Sequence, residues 1–431
     1  MNAFTTYIIL PSFLIMFNLA AISDDEIIQA CIEGDFEAVK TAVTEGASIE
    51  TRDRFGNTLL LLSINNNRPE ITRYLIDSNA DINVTNILGE TPLMLAIEKN
   101  QIELVDLLIE KNADVFAFSK LNYNPILKAA SKGYLEIVIR LLKAGAKINS
   151  RDTKDGYTPL AKAAQRGHLD VVRYLVDNGA QIDLAGENGD TPLMLAARSG
   201  HPGVAESLIE SGANVNASNI IGETALMYAL DSHQEEIARL LIENGAKTDI
   251  ADINLKTPLM RAVSKGLEEI VYRIVERGVE IDAKDAKGWT ALMFAGKYNY
   301  IEIADYLIEH GADEETTNDE GKAAKSYIVR VDKSIVWDFD IEAEPEGGLR
   351  AIQRKLEIPE SAKKAKIKGE VLVNVLVDTS GQVVKTEILE SIRNAECDSA
   401  AVTAIKAVTW LPAEKDDVPV KAWVEIPVEI D

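Results

Sequence analysis

Histidine, cysteine and acidic side chains could carry chemistry in this chain, but their spacing supports none. No pair among the four histidines has metal-ligand spacing, and the sequence has neither a glycine-rich phosphate loop nor a nucleophile turn. Acidic residues are abundant, and a solvated surface is the ordinary place for them. We therefore expect no enzyme activity, no cofactor and no metal site.

The net charge of the chain disfavours anionic partners. The chain has 45 Lys and Arg against 69 Asp and Glu, a net charge of −24 that repels phosphate backbones and anionic lipid. Nucleic acid is therefore not an expected partner. Cys31 and Cys397 lie near opposite ends of the chain in apolar helical patterns, which indicates neither a disulfide framework nor a metal site.

The N-terminus predicts export. An apolar run over residues 7–22 is followed at once by acidic residues, which is typical of a signal peptide covering residues 1–23. Small residues at Ala21 and Ser23 place cleavage between Ser23 and Asp24. Because the run lacks a preceding Lys or Arg, an uncleaved N-terminal anchor is the alternative. The run is, however, shorter than the roughly 20 residues that a spanning helix needs.

A repeat of 33 residues runs through most of the chain. Its clearest mark is a Thr, once an Asn, suited to capping a helix and usually followed by Pro at the first helical position. These positions are spaced by 33 residues, with one interval of 34, and are Thr58, Thr91, Asn124, Thr158, Thr191, Thr224, Thr257 and Thr290. Nine residues after each cap stands Gly or Asn, which favours a left-handed helix end, except at His233. Each unit therefore predicts a short apolar helix, a second amphipathic helix and a turn-rich return segment.

These units resemble the ankyrin repeat, as in TPLMLAI from Thr91, TPLMLAA from Thr191 and TALMFAG from Thr290. The resemblance covers residues 24–328 and implies a mainly α-helical solenoid of about nine helix pairs, with a degenerate first pair and a truncated closing helix. The usual histidine of the motif is replaced by a methionine column that we expect to pack between stacked repeats. Its members are Met94, Met194, Met227, Met260 and Met293.

The resemblance also implies a concave surface, formed by hairpin tips and first helices, that captures a folded protein partner. Tyr123, Tyr157 and Trp289 each precede a cap and so share one register along this rim. We predict them as partner-binding anchors, since aromatic side chains dominate interfaces. The alternative is that they pack hairpins against helices. The apolar tips Ile87–Leu88 and Ile220–Ile221 are further candidates, with the same alternative.

A small α+β domain is predicted after the repeats. The 33-residue spacing stops after Gly321, residues 329–347 read as a linker ending in a polar hinge over Glu342–Gly348, and the domain covers 348–431. Within it the patterns predict helices over 349–356, 359–366 and 398–408, and strands over 370–377, 382–389 and 418–430.

This order resembles the C-terminal domain of TonB energy transducers. The matching residues are Ile358, Pro359, Ala362, Lys368, Gly369, Glu370, Val371, Val377, Asp378, Gly381, Asp398, Ala400, Ala401, Trp410, Pro412 and Ala413. The resemblance implies a domain that acts outside the inner membrane. It also implies pairing with a short peptide of an outer-membrane transporter, which adds a strand to the sheet.

The last strand supplies its own argument for such pairing. Pro419 and Pro427 share a parity, so both remove donors from one edge, and proline is tolerated where that edge is unpaired. The free edge then belongs to Lys421, Trp423 and Glu425. We predict that a peptide binds their backbones, with Trp423 covering its side chains. A structural edge strand without a ligand is the alternative.

Together these patterns predict a non-catalytic, exported protein-interaction protein of the periplasm. The alternative is an inner-membrane-anchored transducer of the TonB type that faces the periplasm and acts with an outer-membrane transporter. A third possibility is that the terminal domain serves as a structural cap or dimerisation unit. The first two hypotheses differ in the fate of residues 1–23.

Overall fold

The computed structural model describes residues 23–328, 342–415 and 418–430. The chain divides into two compact units, Met1–Ile328 and Val329–Asp431. The expected signal peptide lies outside the described residues except for Ser23. The expected fold class is confirmed, since a long helical array precedes a small unit with antiparallel strands.

Over residues 23–328 the first unit consists of nine helix pairs, as expected. The first helices are α1 (Asp24–Glu33), α3 (Leu59–Asn65), α5 (Pro92–Glu98), α7 (Pro125–Lys132), α9 (Pro159–Arg166), α11 (Pro192–Ser199), α13 (Ala225–Asp231), α15 (Pro258–Ser264) and α17 (Ala291–Lys297). The second helices are α2 (Phe36–Thr44), α4 (Pro69–Asp77), α6 (Ile102–Glu110), α8 (Leu135–Lys143), α10 (Leu169–Asp177), α12 (Pro202–Glu210), α14 (Glu235–Glu243), α16 (Glu268–Val275) and α18 (Ile301–Glu309). A 3₁₀ turn over Ala324–Tyr327 takes the place of the truncated closing helix.

The predicted helix boundaries hold throughout the array. Every predicted cap residue accepts a hydrogen bond from the backbone N–H three positions on, as Thr158 does from Ala161 at 3.1 Å. The predicted Gly and Asn positions adopt positive φ, and so does the exception His233, at +55°. A left-handed residue ends each first helix and lets the chain enter the second one directly.

The residue after each left-handed position packs beneath the preceding unit. The imidazole of His168 lies so close to Gly133 that a Cβ there would be 2.4 Å from Nδ1. Its Nε2 is 3.0 Å from the carbonyl oxygen of Ser131. His201 occupies the same place against Gly167. Both histidines therefore have a structural role, because their rings pack between neighbouring units.

The core of the array is formed chiefly by the first helices. The methionine column is at most 2% exposed at every position, so its expected place between repeats is confirmed. Full burial of one such side chain stabilises the fold by about 1.5–3 kcal/mol. Thr191 adds a polar contact to the column, because its backbone N–H donates to the sulfur of Met194 at 3.5 Å.

The return segments form hairpins whose tips are joined along the array. The backbone N–H of Ile253 donates to the carbonyl of Ile221 at 3.0 Å, and Ile87 donates to Phe55 at 3.1 Å. The single 34-residue interval places its extra residue in the hairpin over residues 152–157. There Thr153 Oγ1 donates to the side-chain oxygen of Asn122 in the preceding hairpin.

Within its described residues the second unit contains a three-stranded antiparallel sheet in the order β3-β2-β7. The strands are β1 (Glu344–Pro345), β2 (Gly369–Val377), β3 (Val383–Glu390), β4 (Trp410–Leu411), β5 (Ala413–Lys415), β6 (Val418–Val420) and β7 (Ala422–Ile430), and the helices are α19 (Leu349–Lys355), α20 (Glu360–Ala365) and α21 (Ala395–Lys406). Apolar side chains of α19 and α21 pack on one face of β2 and β7 and form the core of this unit.

The final strand expected over 418–430 is wrong as a single element. Residues Val418–Val420 pair instead with Ala413–Lys415 as a local hairpin, and β7 begins at Ala422. Val418 is 58% exposed and does not belong to the apolar face of β7. Local pairing competes with strand continuation here because the two short strands are close in sequence.

Two other boundaries also differ from expectation. The predicted hinge over Glu342–Gly348 contributes to the folded unit, since Ala343 is buried in its core and Glu344–Pro345 pairs with Trp410–Leu411. Helix α21 begins three residues earlier than expected, because the side chain of Asn394 caps it by accepting from the N–H of Cys397 at 3.0 Å.

Candidate functional site

The first helices carry a column of side chains, several of which contact the hairpins. This column, four residues after each cap, is here called the inner column. It consists of Leu62, Leu95, Lys128, Lys162, Leu195, Tyr228, Arg261 and Phe294. Polar and aromatic members interrupt an otherwise apolar pattern in this column.

The rim residue Tyr157 is not an exposed aromatic. Its side chain is buried at 5% exposure, beneath the ammonium group of Lys162 at 4.9 Å from the ring centroid. Its hydroxyl lies 3.2 Å from the carboxylate of Asp190. Tyr157 therefore packs a hairpin against the helices, which is the alternative that the sequence left open.

Tyr123 and Trp289 remain partly exposed at the same register. The ring of Tyr123 lies 5.6 Å from Lys162 Nζ. The indole of Trp289 stacks at 5.3 Å on Phe294 and at 4.9 Å on Tyr327. These two side chains contact their own neighbours and still present surface to a partner.

The buried carboxylate of Asp190 accepts hydrogen bonds from several side chains on the hairpin side of the array. Asp190 is fully buried and accepts from the hydroxyl of Tyr228 at 2.9 Å, from Asn219 at 3.1 Å and from Asn188 at 2.7 Å. Burial, together with the charge and hydrogen bond of Asp190, raises the pKa of Tyr228 well above its ordinary value. The phenol therefore stays a hydrogen-bond donor.

Most cations of the inner column are neutralised within the array. Lys162 pairs with Asp152 at 2.8 Å, and both side chains are nearly buried. Burial alone would raise the pKa of Asp152, but Lys162 and neighbouring backbone N–H groups hold it below the ordinary value. Arg261 has three acidic partners, Glu223, Asp231 and Asp252.

Sequence reasoning missed this polar network. Asp190 directly precedes a cap, as Tyr157 and Trp289 do, and the polar members of the inner column interrupt a pattern of Leu residues. Both features can be recognised in the sequence. The ion pairs cannot, because residues such as Arg261 and Glu223 are 38 positions apart and meet only through stacking of neighbouring units.

The predicted apolar tips are exposed. Ile220 is 71% exposed, and Ile221, Ile87 and Leu88 also present large parts of their side chains to solvent. In the following hairpin Ile253 extends the apolar surface next to Ile221. Exposed apolar side chains grouped in this way are typical of interaction sites.

The outer edge of β7, on the side opposite β2, is regular. Its register with β2 runs without a break from Val377↔Ala422 to Gly369↔Ile430. Pro427 has no N–H to donate, and the carbonyl of Glu429 accepts from Gln353 Nε2 of α19 at 2.7 Å rather than from β2. In an antiparallel strand a residue directs both backbone groups to one side. The backbones of Trp423 and Glu425 therefore also point outward.

The opposite edge of the sheet, formed by β3, is less suited to the addition of a peptide strand. The register between β3 and β2 shifts near both ends, and Val384 and Leu389 lie at these irregularities. Lys385 and Glu387 place charges between them. Bulges and charges along an edge hinder pairing with another strand, so β7 offers the better edge.

Trp423 lies on the sheet face away from α21. Its indole is 5.7 Å from Lys385 Nζ, and both residues are register partners of the buried Leu376. Lys421, by contrast, lies between β6 and β7 rather than in β7, so it is not part of the continuous edge. The predicted edge is thus reduced to Trp423 and Glu425.

The predicted cleavage bond lies at a helix cap. Ser23 Oγ accepts from the N–H of Glu26 at 3.3 Å, and the carboxylate of Glu26 accepts from the N–H of Ser23 at 2.8 Å. Asp24 is the first residue of α1. This reciprocal pair is a capping box, which fixes the start of the array.

The described ranges contain no cluster of His, Cys, Asp or Glu that could hold a metal ion. Among the helices of these ranges, none has the length and apolarity required to cross a membrane.

Comparison with known families accounts for both units. The family profile described as ankyrin repeats (3 copies) matches residues 27–119, 126–219, 185–252, 204–285 and 248–318. The profile described as Gram-negative bacterial TonB protein C-terminal matches residues 354–429. Both are non-catalytic families. A search of the curated proteins finds no match.

Proposed function

Because the chain belongs to the ankyrin-repeat family and ends in a TonB-type C-terminal domain, we propose that it is a non-catalytic adaptor of the cell envelope with two protein-binding surfaces. One surface is the hairpin side of the array, including Tyr123 and Trp289. The other is the outer edge of β7, where a peptide of an envelope protein adds a strand.

The outer edge of β7 is the observation that carries this proposal. Over Ala422–Ile430 the strand keeps one register with β2, and no other strand of the described residues pairs with its far side. Two outward N–H groups, at Trp423 and Glu425, precede Pro427. Main-chain hydrogen bonds give affinity in strand addition, and a neighbouring aromatic ring such as Trp423 gives contact with alternate side chains.

Cysteine cross-linking tests strand addition on the full chain. Both native cysteines, Cys31 and Cys397, are buried, so Glu425→Cys supplies a single exposed thiol. The probes are synthetic peptides from the periplasm-facing N-terminal segments of outer-membrane transporters of the same organism, each with one cysteine moved along the sequence. We expect disulfide formation at alternate peptide positions, because side chains of a strand alternate between the two faces of a sheet.

Two controls define the result. Lys406→Cys places a thiol on the exposed end of α21, away from the edge, and should give weak cross-linking without alternation. Glu425→Pro removes one outward donor and should abolish binding of the same peptides. Uniform cross-linking along the peptide, or equal yields at residues 406 and 425, would count against strand addition.

The envelope location rests on the apolar segment before Asp24 and on the TonB-type domain, whose family acts on the periplasmic side. The intact mass and N-terminal sequence of the native protein test it, after soluble envelope contents are separated from alkali-washed membranes. A soluble chain that starts at Asp24 is the expected result. A full-length, membrane-retained chain would favour the anchored transducer instead.

A further inference from the structure

The lysines and arginines on the hairpin side of the array differ in whether they pair with a carboxylate. Up to Arg261, the cations of the inner column have acidic partners, as Lys128 has Glu90 at 3.1 Å and Lys162 has Asp152 at 2.8 Å. These positions are neutralised by their own neighbours. They therefore attract an external anion weakly.

Three exposed lysines near the C-terminal end of the array, outside the inner column, differ. None of Lys256, Lys287 and Lys297 forms an ion pair with a carboxylate of the described residues, 23–328, 342–415 and 418–430. Lys297 Nζ instead lies 5.0 Å from the ring centroid of Trp289 and 5.3 Å from that of Tyr298. Cations held over aromatic rings keep their charge available to an incoming anion.

These lysines surround a pocket of about 590 Å³. Trp289 and Phe294 form an aromatic wall, with ring centroids 5.3 Å apart, and Tyr298 continues it. The acidic side chains at the pocket are already engaged. Asp285 accepts from the backbone N–H groups of two neighbours, at 2.8 and 2.9 Å, and Glu320 pairs with Lys322 at 3.1 Å.

We propose that this pocket binds a segment of a partner protein that presents carboxylates beside an aromatic side chain. The aromatic wall accepts the ring by stacking, and Lys256, Lys287 and Lys297 pair with the flanking carboxylates. The inference rests on the proposed function of the hairpin side as a protein-binding surface and specifies the chemistry of its partner.

The charge of the whole chain selects the class of anion. A long polyanion such as nucleic acid would extend beyond the pocket into the field of a protein of net charge −24. A short protein segment carries its few carboxylates only where the lysines are. The pocket volume also matches one large side chain with its neighbours rather than an extended polymer.

Peptide binding to the full chain tests the inference by fluorescence anisotropy. The probe is a fluorescein-labelled decapeptide with three aspartates flanking one tryptophan and one phenylalanine. The matched peptides carry asparagine in place of aspartate, or alanine in place of both aromatic residues. We expect each matched peptide to bind at least tenfold more weakly, and added salt to weaken the parent peptide.

The matched protein variants are the double substitution Lys256→Gln with Lys297→Gln, and Lys143→Gln on the second helix α8. All three lysines are exposed, so we expect these changes to leave the fold intact. The double variant should lose at least tenfold in affinity for the acidic peptide, and Lys143→Gln should lose none.

Three outcomes would overturn the inference: no binding of the acidic peptide, equal binding of the asparagine peptide, or unchanged affinity of the double variant. Tighter binding of a single-stranded oligonucleotide than of the acidic peptide would also overturn it. Cross-linking at Glu425→Cys in the double variant separates the two proposals. If peptide pairing at β7 persists while the acidic peptide fails to bind, the adaptor proposal stands without this pocket.

Discussion

The hydroxyl of Tyr228 donates to the fully buried carboxylate of Asp190 across an interval of 38 residues, at 2.9 Å. The bond joins α13 to the hairpin that precedes α11, so it holds two neighbouring units together. Asp190 also accepts from Tyr157, Asn188 and Asn219. A single acidic side chain therefore satisfies donors from three consecutive units.

Asp190→Ala should destabilise the array by about 3 kcal/mol, because it leaves several buried donors without an acceptor. Tyr228→Phe removes one donor and should cost about 1 kcal/mol. Urea unfolding monitored by circular dichroism measures both. The control Glu210→Ala changes an exposed side chain and should shift the midpoint little. Equal effects of Asp190→Ala and Glu210→Ala would contradict the role assigned to Asp190.

Gly133→Ala should be more destabilising than Gly145→Ala. Both glycines have positive φ, +77° and +93°, so alanine is strained at each by roughly 1 kcal/mol. At Gly133 the new Cβ would also meet the ring of His168, whereas at Gly145 it meets nothing within 4 Å. The expected difference is about 1–3 kcal/mol in unfolding free energy. Adding His168→Ala to Gly133→Ala should recover part of that loss.

The ion pair of Asp152 with Lys162 should make the array sensitive to acid. The pKa of Asp152 is lower in the folded chain than its ordinary value of about 3.9, so its contribution is present above that value and is lost as pH falls through the folded pKa. Asp152→Asn should therefore destabilise the chain at pH 7 and have a smaller effect near pH 2. Urea midpoints at the two pH values measure this. A destabilisation independent of pH would refute the prediction.

Glu425→Pro and Val424→Pro should differ sharply in stability. The backbone of Glu425 points away from β2, as that of the native Pro427 does, so proline there should cost at most about 1 kcal/mol. Val424 faces the other way in the backbone pattern and its side chain is buried, so proline there removes a ladder bond and should cost about 3 kcal/mol or more. Thermal unfolding compares the two. Similar losses would show that the assigned parity is incorrect.

The proposed cleavage before Asp24 should loosen the first helix. A chain that begins at Asp24 lacks the Ser23 side chain, which forms a capping box with Glu26. Loss of such a cap costs about 1 kcal/mol of helix stability. Hydrogen exchange should be faster in α1 of the chain starting at Asp24 than in a chain starting at Ser23, with no change in α9. Identical exchange rates would contradict this.

The sequence predicted the array well because its determinants are local. A Thr cap and the left-handed residue nine positions later act within one helix, and even His233 keeps that conformation. The sheet of the second unit was predicted from alternation. The break between β6 and β7 was not, because pairing with β5 depends on a competition between neighbours that alternation does not describe.

The candidate sites were less accessible to sequence reasoning. The position of Tyr157 directly before a cap correctly placed it in the same register as Tyr123 and Trp289. It did not predict that the side chain is buried, because the burial depends on Lys162 and on Asp190 of the next unit. The outward edge at Trp423 and Glu425 was predicted from the parity of Pro419 and Pro427, of which only Pro427 lies in β7. The pocket beside Lys297 depends on which lysines lack an acidic neighbour, and that requires the stacked structure.

The buried ion pairs of the array also bear on how near-identical units find their order during folding. The first helices are similar in sequence, as PLMLAIE of α5 and PLMLAARS of α11 show, so apolar packing alone discriminates weakly against an array slipped by one unit. Arg261 pairs with Glu223 and Asp231 of the preceding unit, whereas the next unit toward the N-terminus has Asp190 and Arg198 at these two positions. In a slipped array the guanidinium would be buried beside the wrong residues, a costly state that disfavours misassembly.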